Sequence, residues 1–288
     1  MFFCIEPGEI KRGCEMITIG KRVFLAVPFI ILVAMLGNCD TSTEPEAPNW
    51  QLVWQDEFDG ETNSLPDATK WGFDIGSGWG NDQLEYDTNR RENASLNGQG
   101  HLVIVARKEN YQGYAYTSAR IHTRDLFEQT YGRFEAKILL PWGQGIWPAF
   151  WLLGANEDEV GWPECGEIDI MEYRGQEPYR VHGSLHGPGY SGSKPVTDNY
   201  DLYNDRFDAG FHVFAVEWSP NAIKWTVDDK LYQTVARADL PGPWVFDHPF
   251  YIIVNLAVGG NYVGMPSEST VFPQTMVVDY VRVYQEVR

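Results

Sequence analysis

Residues 166–175 read Gly-Glu-Ile-Asp-Ile-Met-Glu-Tyr-Arg-Gly and crowd three carboxylates, Glu167, Asp169 and Glu172, into one short segment. Ile168, Ile170 and Tyr173 favour an extended strand there. Strand side chains alternate between faces, so Glu167, Asp169 and Met171 would share one face and Ile168, Ile170 and Glu172 the other. That pattern drives Glu172 into the apolar layer holding the isoleucines, where an unpaired carboxylate is costly. A β-bulge at Ile170-Met171 removes the conflict. It returns Glu172 to the face of Glu167 and Asp169, as bulges beside active sites often do.

Two carboxylates flanking a glycosidic bond can cleave it, one as proton donor and the other as nucleophile or base. With one residue absorbed by the bulge, the Cα atoms of Glu167 and Glu172 stand about 13 Å apart. Side chains leaning together would bring the carboxyls to the roughly 5–5.5 Å that accompanies retention of configuration. Asp169 lies between them and couples to both, lifting at least one pKa toward neutrality. One acid then keeps its proton while its neighbour stays charged. Two readings compete with this one. The acids would form a solvated strand face, or a calcium site, for which a rigid strand is a poor cage.

The aromatic residues favour a sugar cleft. Pro141-Trp142-Gly143-Gln144-Gly145-Ile146-Trp147-Pro148-Ala149-Phe150-Trp151 and Trp162-Pro163 stand just upstream of the acids. Gly and Pro place several of these rings at loop or strand ends, where flat faces stack on sugar rings. Trp142 and Trp147 are the expected platforms. Trp151 lies in a run that reads as buried strand and is expected to be partly core. The polar stretch Trp79–Tyr86, Arg120 and His186 would complete the site.

The elements that position these groups read as strands. Runs at His101–Ala106, Gly132–Leu140, Phe150–Leu153, Phe211–Trp218, Phe250–Val258 and Met276–Tyr284 are separated by Gly, Asn, Asp and Pro. Lys224–Tyr232 reads as a hairpin turning at Asp228-Asp229. Without a sustained amphipathic helical run, residues 50–288 are expected to form one all-β domain with short helical turns at most.

The N-terminal 39 residues read as a leader. Lys21-Arg22 precedes about 14 apolar residues, Val23–Leu36, which suits an export signal better than a spanning helix. The segment Leu36-Gly37-Asn38-Cys39 resembles a lipobox with Cys39 lipidated, although Asn38 replaces the usual small residue. Met16 is a candidate start, and residues 40–49 read as a short tether. Of the four cysteines, only Cys165 falls in the globular part, so no internal disulfide is expected there. No neighbouring cation favours its thiolate, and it reads as a small packing residue.

Trp162-Pro163-x-x-Gly166-Glu167-Ile168-Asp169-Ile170-Met171-Glu172 resembles the signature of glycoside hydrolase family 16, in its laminarinase (endo-β-1,3-glucanase) branch. Trp54–Phe58, Trp79-Gly80-Asn81, Tyr131–Glu135, Trp147–Leu152, Asn255–Gly260 and Asp279–Tyr284 extend the resemblance in family order. It implies a concanavalin A-like jelly-roll sandwich of two antiparallel sheets with a concave cleft. It also implies Glu167 as nucleophile, Glu172 as acid/base and Asp169 as the helper that tunes the nucleophile. Cleft positions by this resemblance are Asn81, Arg120, Trp142, Trp147, Trp151, His186 and Asn255. Relatives carry a structural calcium at positions similar to Glu57, Gly100 and Asp279; catalysis would need no cofactor.

With 40 acidic against 22 basic side chains, the formal charge is −18. Such a field repels nucleic acid and strongly anionic polymers, sulfated galactans included. The expectation is an exported, monomeric, retaining endo-β-1,3-glucanase acting on a neutral laminarin-like or mixed-linked β-glucan. The alternatives are a strict β-1,3-1,4-glucanase (lichenase), a neutral galactanase, or a non-catalytic β-glucan-binding protein.

Overall fold

The computed structural model describes residues 48–287. The leader, with Cys39, and most of the tether lie outside the described residues. The first strands are β1 (Trp50–Asp56), β2 (Gly72–Asp74), β3 (Glu85–Asp87), β4 (Ala94–Leu96), β5 (Leu102–Tyr111) and β6 (Tyr114–Ser118). Then come β7 (Arg120–His122), β8 (Gly132–Leu139), β9 (Ile146–Gly154), β10 (Glu167–Tyr173), β11 (Arg180–His186) and β12 (Val196–Asp201). The last are β13 (His212–Trp218), β14 (Ala222–Val227), β15 (Lys230–Ala236), β16 (Phe250–Val258) and β17 (Gln274–Glu286). Among the described residues, helix is limited to a turn at Glu157–Val160 and a 3-10 turn at Arg237–Asp239.

Two sheets form a sandwich. One has seven strands in the order β12-β11-β10-β9-β16-β7-β2. The other has ten, along β15-β14-β13-β8-β17-β5-β6-β3, with β1 on β17 and β4 on β5. All pairs are antiparallel except β3 with β6. The core lies between the sheets: Phe150, Leu152, Ile168, Ile252 and Val254 from the first meet Phe134, Phe214, Val216, Trp225 and Val281 from the second. The expected jelly-roll architecture is observed.

The expected strand runs are present, with β5, β9 and β17 longer than expected and the others within a residue of the expected bounds. The clearest shortfall was β9, which begins at Ile146 although Pro148 reads as a break. Pro cannot donate to a ladder and is confined to edges. Pro148 is tolerated because β9 pairs with β10 only over Ala149–Leu153, so at Pro148 its paired neighbour is β16. The β14–β15 hairpin turns at Asp228 and Asp229, with φ of 48° and 61°, the left-handed pair a tight hairpin requires.

Candidate active site

Strand β10 is third in the seven-stranded sheet, between β11 and β9, and its pairing shows the bulge. Against β9, Asp169 pairs with Trp151 while Met171 pairs with Phe150, leaving Ile170 extra. Against β11, the register moves from Asp169–Ser184 to Glu172–His182, skipping Gly183. Ile170 and Met171 therefore both enter the core, 2% and 0% exposed, with Ile168 and Tyr173. Glu172 returns to the outer face. Glu167 stands opposite Leu153 and Glu172 opposite Ala149. Four partner positions separate them, roughly 13 Å along the strand.

A bulge breaks the ladder and leaves backbone groups needing partners. Here the Trp225 indole N–H, from β14 in the opposite sheet, donates to the Asp169 carbonyl at 2.8 Å. Gly183 makes room for it. A Cβ there would stand 2.5 Å from Trp225 Cδ1 and 2.4 Å from the Tyr232 hydroxyl. The catalytic strand is thus braced from across the core.

The outer face of this sheet carries a cleft of about 740 Å³ containing all three acids. Trp162 Nε1 donates to Glu167 Oε2 at 2.9 Å. His186 Nε2 lies 3.2 Å from Asp169 Oδ2 and 3.7 Å from Glu167 Oε1. Ser184 Oγ donates weakly to Glu172 Oε2 at 3.4 Å. Burial raises all three carboxyls. Glu167 is pushed up to about 8, with repulsion from Asp169 adding to desolvation. Glu172 rises to about 7, while His186 opposes the rise. Asp169 rises well above its ordinary value through desolvation and repulsion from Glu172. Three interacting acids titrate as a set. A proton resting on Asp169 removes its repulsion on Glu167, and the Trp162 N–H then favours the Glu167 anion.

Of the expected cleft residues, Asn81, Arg120, Trp147, Trp151, His186 and Asn255 line the cleft. Trp151 Nε1 donates to Asn255 Oδ1 at 2.8 Å, and its ring packs beside Leu153, Cys165, Tyr251 and Ile253, the expected part-core role. Trp147 is more buried than a platform needs, 7% exposed, with the Tyr262 ring tilted against it at 4.8 Å between centres. Trp142 is a correction. It lies outside the cleft lining, exposed, with the Arg206 guanidinium 5.6 Å from its ring centre. The turn at Gly143–Gly145 separates it from β9, so its nearness in sequence to Trp147 does not carry into the cleft. Cys165 is fully buried and its thiol is pushed up to about 12, consistent with packing.

Sequence reasoning assigned no role to Trp162 at Glu167, nor to His182, Ser184 and Tyr262 in the lining. A signal existed for two of them. His182, Ser184 and His186 alternate along β11, and period two puts them on one face.

The expected calcium ligands are engaged elsewhere. Both Glu57 oxygens accept from Arg282, at 2.7 and 2.9 Å. Asp279 pairs with Lys137 at 2.7 Å and faces His101 at 3.9 Å. What faces Gly100 is Asp59 Oδ1 and the Glu57 main-chain carbonyl, both 3.7 Å from where a Cβ would stand. As they stand, these side chains do not fit a dication, which needs several free oxygens. Among the described residues, the one three-donor cluster of His, Cys, Asp and Glu is Glu167, Asp169 and His186.

Residues 79–282 match the sequence profile of glycosyl hydrolases family 16. The chain belongs to this family. Its family 16 relatives include a beta-glucanase of Rhodothermus marinus, 43% identical over 276 residues, covering 92% of this chain and 94% of the relative. The laminarinase catalytic domain of Thermotoga maritima MSB8 superposes with a TM-score of 0.79 at 47% identity, covering 83% of this chain and 100% of that one. The endo-beta-1,3-glucanase of Pyrococcus furiosus gives a TM-score of 0.79 at 47% identity, over 84% and 97%.

Proposed function

We propose that this protein is a retaining endo-β-1,3-glucanase that cleaves laminarin-like or mixed-linked β-glucans. The observation that carries the roles is Glu167 and Glu172 on one cleft face of β10, four partner positions apart, with Asp169 between them on the same strand and His186 beside Asp169 from β11. Glu167, fixed by the Trp162 N–H, attacks the anomeric carbon. Glu172 gives its proton to the departing glycosidic oxygen as that bond breaks, leaving a glycosyl ester on Glu167. The Glu172 carboxylate then takes a proton from water, whose oxygen bonds to the anomeric carbon and frees Glu167. Asp169, protonated, keeps repulsion off the nucleophile. No step calls on a metal; calcium near Glu57 and Asp279 would have to displace Arg282 and Lys137 from their carboxylates.

The charge of −18 favours a neutral polymer. The basic–apolar leader ending at Cys39 supports export, with lipid anchoring as one route. The test is product analysis on pure β-1,3-glucan, mixed-linkage glucan and agarose. Oligosaccharides from pure β-1,3-glucan are expected; release from mixed-linkage glucan alone would make it a strict lichenase, and from agarose alone a galactanase. Binding to laminarin with turnover as near zero in wild type as in Glu167→Gln would make it a glucan-binding protein.

A further inference from the structure

The β7–β2 end of the cleft rests on two buried acids that the hydrolytic steps do not use. Glu85 and Asp87, two residues apart on β3, share a face and are each 2% exposed. Glu85 Oε2 accepts from the Val258 N–H at 2.8 Å, and Asp87 Oδ2 accepts from the Trp79 indole N–H at 2.9 Å. Burying two carboxylates this deeply is costly, and a loop that only joined strands would be served better by apolar residues.

What these acids hold is the loop at residues 76–84. Its ends are tied by Asp87 N to Gly76 O at 2.6 Å and Leu84 N to Val258 O at 2.8 Å. Its middle is tied by Asn261 N to Asn81 O at 2.7 Å. Between the ties, Trp79 keeps 36% of its surface exposed and lines the cleft. Arg120, anchored by Asp74 at 2.7 Å, sets its guanidinium 5.3 Å from the Trp79 ring centre and 4.8 Å from that of Trp151. The indole is held at its N–H edge and beside a cation, with an open surface left for a sugar ring.

We propose that Asp87 is a positioning residue for the polysaccharide: by fixing the Trp79 indole it presents that ring as a platform for a sugar unit remote from the cleaved bond. The inference rests on the β-glucanase reading and adds where the polymer is gripped. Asp87 touches no substrate. It governs how tightly a long chain is held and leaves the chemical step unchanged.

The test compares Asp87→Ala, Asp87→Asn, Trp79→Phe and the Asp87→Ala/Trp79→Phe double variant. KM and kcat are measured on long β-1,3-glucan, and Kd for the same polymer by calorimetry in a Glu167→Gln background. Asp87→Ala and Trp79→Phe should each raise KM and Kd about tenfold, as expected for the loss of one buried hydrogen bond. kcat should stay within about twofold, and the double variant should be no worse than either single, because both remove the same bond. Asp87→Asn keeps a carbonyl acceptor and should recover most of the affinity. If Asp87→Ala fails to fold, Trp79→Phe, at a part-exposed position, carries the test. Unchanged KM and Kd in folded variants, loss of kcat at constant KM, or additive effects would overturn the proposal. A wild-type protein that neither binds nor cleaves β-glucan would overturn the functional reading and this inference with it; wild-type cleavage with Trp79→Phe unaffected overturns the inference alone.

Discussion

Trp225→Phe should damage turnover out of proportion to its effect on stability. The substitution removes the N–H that reaches the Asp169 carbonyl at 2.8 Å from the opposite sheet. An unsatisfied buried acceptor costs about 1–3 kcal/mol, and the smaller ring leaves space worth about 1 kcal/mol more. At about 2–4 °C per kcal/mol for a domain of this size, the melting temperature should fall by roughly 4–15 °C. The freed carbonyl lets the bulge relax, moving Glu172 relative to Glu167. Misplacement of about 1 Å costs on the order of 100-fold in rate, so kcat should fall 30- to 100-fold (an order-of-magnitude range) with KM little changed. Trp218→Phe is the matched control. Trp218 is equally deep in the same sheet and donates to the Phe246 carbonyl at 3.1 Å, a bond that does not involve β10. It should show a similar melting loss with near-normal kcat. Thermal scans and initial rates on laminarin decide the matter. Equal kcat losses in the two variants, or full kcat in a destabilised Trp225→Phe, would refute the reasoning.

Three further outcomes follow from the same geometry. Gly183→Ala should lower both kcat and melting temperature, because its Cβ would meet Trp225 Nε1 at 2.8 Å and push the indole from Asp169; rates and thermal scans check it. Glu167 and Glu172 are raised to about 8 and 7 from 4.5, so the folded protein holds these protons more tightly than the unfolded chain. Their contribution to stability is fully present below about pH 4.5 and is lost as pH rises through 7 and 8. Glu167→Gln should therefore melt several degrees above wild type at pH 8 and together with it near pH 4.5, as a pH series of thermal scans would show. Cys165, buried with its thiol pushed up to about 12, should resist a thiol reagent in the native protein at pH 8 and react on unfolding.

The chemistry was legible because the acids, their alternation and the rule against burying Glu172 sit within one decapeptide. The bulge could be deduced from Ile168, Ile170 and Glu172 before any coordinates, and it falls where deduced. Its brace could not. Trp225 reaches Asp169 from 56 residues away across the core, and no local pattern encodes that contact. Trp142 illustrates the complementary limit: a ring five residues from Trp147 was assigned to the same cleft, but beyond the intervening turn it stands exposed beside Arg206, outside the cleft lining. The ion pairs at the calcium positions were not legible either, since Arg282 and Lys137, far away in sequence, reach Glu57 and Asp279 from paired strands. Period-two patterning on β11 would have found His182 and Ser184.

The division of labour between the two glutamates is tested most directly by azide rescue of Glu172→Ala. Without its acid/base, the enzyme should still form the glycosyl ester from an activated β-glucoside, and azide needs no proton removed to attack it. The account predicts restored turnover, loss of the alkaline limb of the pH–rate profile, and a β-glycosyl azide seen by proton NMR. An α-glycosyl azide from this variant, or rescue yielding β-azide only when Glu167 is removed, would contradict it.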